Sequence, residues 1–276
     1  MKRYLDDIFF KRFITDFQFL FKLIRDAHGE LDLRLRNNYF NVYYRGNSML
    51  KIGFAKAGYP VSIHQKFARG VFDNDPRFKG ILEKARMAGS YHTYYIPPEL
   101  LHPFLQRSNI NKLAANVKKV NYGEEIVFEQ ALITDNMNRE DYFIIDRQVT
   151  EAGLQRQRLD LLGLRLCGDG AYSFEVIEVK LGNNVELRAD VGRQLTSYIS
   201  HIEANIRQWK ENYETVYRQL KQTNIFEKPT LSEIVIVPEV RGRVFVSGYS
   251  GLAKGNLEML RREYADIVVE QRENLL

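Results

Sequence analysis

The chain has a single cysteine in 276 residues, Cys167. That excludes an internal disulfide framework and any zinc site built from several thiolates. Tryptophan also occurs once, and no repeat or low-complexity tract is present. No apolar run approaches the roughly 20 residues a membrane span needs. Asp6, Asp7, Lys11 and Arg12 break up the apolar residues near the N-terminus, so no signal-peptide pattern forms there. These absences lead us to expect a soluble, cytoplasmic protein with no membrane partner. What is present is a globular mixture: 45% hydrophobic and 27% charged residues, with 17 Phe and 16 Tyr to build cores.

Charge is distributed unevenly. Residues 1–115 hold 19 Lys and Arg against 10 Asp and Glu, whereas the remainder holds 21 against 25. A basic half joined to an acidic half fits a polyanion-binding module attached to a carboxylate-bearing one. We therefore expect a basic α+β domain over 1–115 and a second domain over 116–276.

In the first half, Phe9, Phe10, Phe13, Phe17, Leu20, Phe21 and Ile24 recur at helical steps and predict one helix over 5–27. Leu31, Leu33 and Leu35 alternate with charged residues, as in a strand. Strand-like runs at 39–44 and 49–54 flank Arg45-Gly46-Asn47-Ser48, which reads as a hairpin turn. A short strand near 61–64 follows, and Pro97-Pro98 opens a helical stretch. In the second half the pattern predicts a helix over 117–135 and strands over 142–149, 158–166 and 172–181. A long helix over 186–220 and a strand over 233–237, ended by Pro238, come next. A further strand over 243–247 and a helix over 255–264 complete the pattern. Strands covered by helices imply an α/β sandwich.

The chemistry-bearing stretch joins Asp160 on one strand to Glu178 and Lys180 on the next, through Gly168-Asp169-Gly170. With those three residues as the loop, Leu166 faces Tyr172 and Asp160 faces Glu178. Directly opposed residues share a sheet face with Cβ atoms roughly 5 Å apart, and Lys180, two residues on, joins them. A slip of one residue would move Asp160 to the other face. Two opposed carboxylates among Leu159, Leu161, Val176, Ile177 and Val179 need compensation. A hard divalent cation, Mg²⁺ or Mn²⁺, held by Asp160, Glu178 and the nearby backbone carbonyl of Val179, would supply it. A lysine beside such an ion can position water or stabilise phosphate charge, which is equipment for phosphodiester hydrolysis. Gln194 and Tyr198, four apart on the following helix, share a face and can orient a lysine, water or phosphate.

This combination resembles the PD-(D/E)xK nuclease superfamily, particularly its RecB-like branch, over residues 117–238. Asp160 matches its Asp motif, Glu178 and Lys180 its Glu-x-Lys motif, and Gln194 and Tyr198 the Gln-x-x-x-Tyr motif. Leu159 stands where the motif's proline would be. The resemblance implies a restriction-endonuclease-like αβββαβ core, with a mixed central sheet flanked by helices. It also implies a Mg²⁺- or Mn²⁺-dependent hydrolase acting on nucleic acid, with DNA as the expected substrate. The family often places a Glu on the first helix, which here implies Glu129 within Phe128–Leu132, with Glu125 one turn earlier as the alternative.

In the basic half, Arg34, Arg36, Arg45 and Lys51 lie beside Tyr39, Tyr43 and Tyr44 and are candidates to hold a nucleic-acid backbone while the rings stack on bases. His64, His92 and His102 lack metal-ligand spacing and read as structural or surface residues. Cys167 has no paired histidine and is not expected to act as a nucleophile. Two other readings stay open: a non-catalytic nucleic-acid-binding module on the same fold, and a protein-interaction module. A homodimer or larger complex is compatible with all of them.

Overall fold

The structure is a computed structural model describing residues 2–120, 123–154, 158–168, 170–188 and 190–272. Contacts divide the chain into two compact units. One is Lys2–Ile126 with Gln219–Ile225, and the other is Val127–Arg218 with Phe226–Leu276. The sequence placed the boundary near residue 115; the division falls after Ile126, within the helix Glu124–Asn136.

The first unit opens with helices α1 (Asp7–Asp16) and α2 (Gln18–Arg25). The single helix expected here is interrupted at Phe17. Phe13 and Phe17 both turn onto Phe40, with ring centroids 4.9 and 5.0 Å away. Strands β1 (Leu31–Arg36), β2 (Tyr39–Tyr44), β3 (Asn47–Gly53) and β4 (Tyr59–His64) follow. The β2–β3 turn is tighter than expected. Tyr44 pairs with Asn47, so only Arg45 and Gly46 form the loop, both at positive φ (46° and 79°). That is the two-residue hairpin geometry that favours glycine. After α3 (Gln65–Ala68) and α4 (Lys79–Glu83) come two strands the sequence reading missed, β5 (Arg86–Ala88) and β6 (Tyr91–Ile96). Helices α5 (Pro98–Phe104) and α6 (Arg107–Val120) end this half. The sheet runs β1-β2-β3-β4-β6-β5, antiparallel throughout. Leu35, Phe40, Ile52, Val61 and Tyr94 form part of its buried inner face.

The second unit contains most of α7 (Glu124–Asn136), then β7 (Tyr142–Thr150), β8 (Arg158–Gly168) and β9 (Ala171–Leu181). Helices α8 (Asp190–Ala204) and α9 (Ile206–Lys221), strand β10 (Val235–Ser247), helix α10 (Ser250–Glu263) and strand β11 (Ile267–Arg272) follow. The sheet order is β11-β10-β9-β8-β7. β7, β8 and β9 form an antiparallel meander, while β10 lies parallel to both β9 and β11. The sheet is therefore mixed and carried with helices in an α/β arrangement.

Three expectations need adjusting. The helix expected over 117–135 is two helices, α6 and α7. The one expected over 186–220 is a 3₁₀ turn, Val185–Arg188, followed by α8 and α9, which part at Asn205. Pro238 does not separate two strands: β10 is continuous, and a bulge between Ile236 and Val240 absorbs the proline. One face of the sheet packs Leu161, Ile177, Val179 and Phe245 against Leu132 and Ile133 of α7. The opposite face packs Phe174 against Trp209 and Tyr213 of α9.

Candidate active site

The β8–β9 pairing follows the expected register from Leu166↔Tyr172 to Leu161↔Ile177. The turn differs. Gly168 pairs with Ala171, the ladder shifts between Leu166 and Gly168, and Cys167 is the extra residue. Asp169, assigned to this loop from the sequence, lies outside the described residues.

The ladder ends at Leu161↔Ile177, one step before Asp160 would pair with Glu178. Beyond that point β9 stays paired with β10 as far as Leu181↔Ser247, so only β8 departs. The Asp160 side chain enters the fork. Its Oδ2 accepts a hydrogen bond from the Val179 backbone N–H at 3.1 Å. The amide of Val179 thus serves Asp160, while its side chain packs toward α7.

Alternation along β9 puts Glu178 and Lys180 on the face opposite Ile177 and Val179. Glu178 is fully buried, and neither of its carboxylate oxygens has a hydrogen-bond partner. Lys180 Nζ approaches Oε2 to 3.2 Å as an ion pair. Burial drives the Glu178 carboxyl well above its ordinary range, and the Asp160 charge beside it adds to the effect. Burial also raises Asp160, against the pull of Lys180 and the Val179 N–H. Two acids so placed cannot both ionise without a counter-charge.

Lys180 has a second partner, which the sequence reading did not include. Glu186, on the 3₁₀ turn after β9, places Oε2 2.9 Å from Nζ. Burial alone would depress the Lys180 ammonium, but Glu178, Glu186 and Asp160 together hold it above its usual value. It is a resident cation and not a free base. On α8, the Gln194 amide donates to the Tyr198 hydroxyl at 2.7 Å, and Tyr198 is fully buried. Burial lifts the Tyr198 hydroxyl, and the charges of Glu178, Asp160 and Lys180 all bear on it. Tyr198 is thus electrostatically linked to the cluster, and Gln194 reaches it through Tyr198.

Glu129 comes from the α7 side. Arg147 Nη2 donates to its Oε2 at 2.8 Å, and Arg147 Nη1 donates to Gln130 Oε1 at 2.7 Å. Arg147 is fully buried. Its neighbour Asp146, across the strand, accepts from its backbone N–H and from the Tyr213 hydroxyl. Burial pushes the Glu129 carboxyl up to about 7; Arg147 opposes the rise and Asp160 adds to it. Glu129 is thus electrostatically tied to the cluster but is held by an arginine.

The donor set suits a hard divalent ion. A buried carboxylate with no hydrogen bond and a single ion pair, beside a second carboxylate, has room for a further cation, and Mg²⁺ uses one or two protein carboxylates while keeping waters. Among the described residues, no group of three or more His, Cys, Asp or Glu forms a ready-made cage.

The nucleic-acid candidates of the first unit separate. Arg34 and Arg36 are buried: Arg34 pairs with Asp32 at 2.9 Å, and Arg36 donates to Leu35 O and the Tyr43 hydroxyl. These two therefore do not form an open basic surface, contrary to the sequence reading. Arg45 is partly exposed near Glu30, and Lys51 is exposed over the Tyr39 ring. The histidines have structural partners. His64 caps α3, His92 meets the Tyr94 hydroxyl and His102 packs on Phe19. Cys167 is exposed.

Glu186 and Arg147 were invisible in the sequence because each acts through a partner 6 or 18 residues away that no local pattern marks. No family model, no curated protein and no solved structure matches the chain.

Proposed function

We propose that the second unit is a metal-dependent phosphodiester hydrolase of the PD-(D/E)xK kind, with a restriction-endonuclease-like core and DNA as substrate. The observation that carries this reading is the buried Glu178 carboxylate, ion-paired with Lys180 but without a hydrogen bond, beside Asp160. Asp160, Glu178 and the Val179 carbonyl would hold Mg²⁺ or Mn²⁺. When bound, the ion supplies Lewis-acid polarisation of the phosphate and a more acidic water. Lys180, already protonated, stabilises negative charge on the phosphoryl oxygens. Gln194 and Tyr198 brace the lysine side of the site, and Glu129 adds acidic potential from α7.

The test is cleavage of supercoiled plasmid and of single-stranded DNA and RNA, with Mg²⁺, Mn²⁺ or EDTA. Wild type is expected to cut only with metal, and Asp160→Ala and Lys180→Ala to lose that activity. Metal-independent cutting, or full activity in Asp160→Ala, would overturn the assignment. Binding without cleavage by wild type would favour the non-catalytic module instead.

A further inference from the structure

The outer face of the six-stranded sheet carries a feature that the hydrolase site does not use. Cross-strand partners share a face, so the pairings can be followed across all the strands. Arg34 pairs with Asn41, Asn41 with Lys51, Lys51 with Ser62, Ser62 with Thr93, and Thr93 with Arg86. This is one polar row from edge to edge. It contains cations and hydrogen-bonding groups but no carboxylate, and β3 to β6 contain no Asp or Glu at all.

Tyrosines flank the row. Tyr91 and Tyr95 lie on the same face of β6, two residues either side of Thr93, and are 45% and 49% exposed. At roughly 3.3 Å of rise per residue they stand about 13 Å apart. Lys51 lies 4.2 Å from the Tyr39 ring centroid, and the Arg86 guanidinium 5.4 Å from that of Tyr95. The Arg34 end is closed by burial and by Asp32, so the open part runs from Lys51 to Arg86.

We infer that this open sheet face binds single-stranded nucleic acid, with Tyr91 and Tyr95 stacking on bases and Lys51 and Arg86 engaging phosphates. Half-exposed rings beside cations, on strands β3 to β6 that carry no Asp or Glu, suit a polyanion whose bases are unpaired. A duplex hides its base faces and offers such rings nothing to stack on. The net positive charge of residues 1–115 complements the same ligand. The inference rests on the first unit and does not depend on hydrolysis in the second.

The experiment is fluorescence anisotropy of the full chain in EDTA, with fluorescein-labelled dT15, rU15 and a 15-base-pair duplex. Either single strand is expected to bind more tightly than the duplex, the two arms distinguishing DNA from RNA. Tyr91→Ala and Tyr95→Ala are each expected to weaken single-strand binding about five-fold or more. Lys51→Gln and Arg86→Gln should each reduce the slope of log affinity against log salt by about 0.7. Binding is read in EDTA, with no metal available to the second unit, which separates this result from the fate of the hydrolase assignment. Melting curves confirm that the variants are folded. Failure of both single strands to bind at low salt would overturn the inference and point to a protein occupant. So would binding indifferent to both tyrosines, or a duplex preferred over both strands.

Discussion

Asp160 meets Glu178 at the point where β8 leaves β9, and the Asp160 carboxylate takes the Val179 amide that the departing strand no longer pairs. Fork, buried acid and lysine are therefore one arrangement, and each part can be perturbed separately.

Removing the lysine separates charge stabilisation from ion binding. Lys180→Ala is expected to lower the cleavage rate by about 10²–10³-fold, the usual effect of deleting a group that stabilises developing charge. Yet Mn²⁺ should bind at least as tightly as in wild type, because the ammonium 3.2 Å from Glu178 no longer competes for it. Asp160→Ala should lose both properties. Calorimetric titration of Mn²⁺ alongside the cleavage assay checks the difference.

The acid pair predicts a pH dependence of the metal-free fold. A carboxyl whose value is raised on folding binds its proton more tightly in the native state. Its contribution is then full below the unfolded value and is lost as pH climbs through the folded one. Glu178 and Asp160 are both raised, and for Glu129 the window runs from 4.5 to about 7. In EDTA, Glu178→Gln should melt near wild type at pH 4.5 and a few degrees above it at pH 8, since about 1 kcal/mol shifts a domain of this size by ~2–4 °C. Saturating Mg²⁺ should reverse the order.

The pair of Arg147 and Glu129 is fixed by burial on both sides, with side-chain exposures of 0% and 4%. Arg147→Met leaves a carboxyl without its counter-charge and should cost about 3–5 kcal/mol. The double variant Arg147→Met/Glu129→Gln should recover most of that loss. Urea midpoints of the two single variants and the double test the coupling.

Gly182 closes β9 against the start of α10. A Cβ there would lie 2.3 Å from the Gly248 carbonyl oxygen and 3.1 Å from both Tyr249 O and Ala253 Cβ. Gly182→Ala should cost about 1–3 kcal/mol, read as a fall in melting temperature. Gly255→Ala, where a Cβ meets nothing, should not.

Much of this was legible in the sequence because it is local. Alternation at Leu31, Leu33 and Leu35 marks β1, and the glycines flanking Asp169 announce the reversal that brings Asp160 toward Glu178. Other features depend on long-range packing. β6 was missed because Tyr91, Tyr94 and Tyr95 put large rings on both faces, and alternation then disappears. Phe17 continues the helical period in sequence, yet the chain turns there. Arg34 and Arg36 carry the charge of a surface but sit buried with Asp32 and Tyr43 as partners. Composition records the charge and not what covers it.

The limb of β8 before Leu161 is free of β9, whereas Glu178 and Lys180 share a strand still zipped to β10. One carboxylate thus sits on a strand held by β7, through Leu159 and Arg158, and the other, with its lysine, on a strand held by β10. An ion held by both carboxylates would therefore rejoin the two parts of the sheet at the place where the β8–β9 ladder ends.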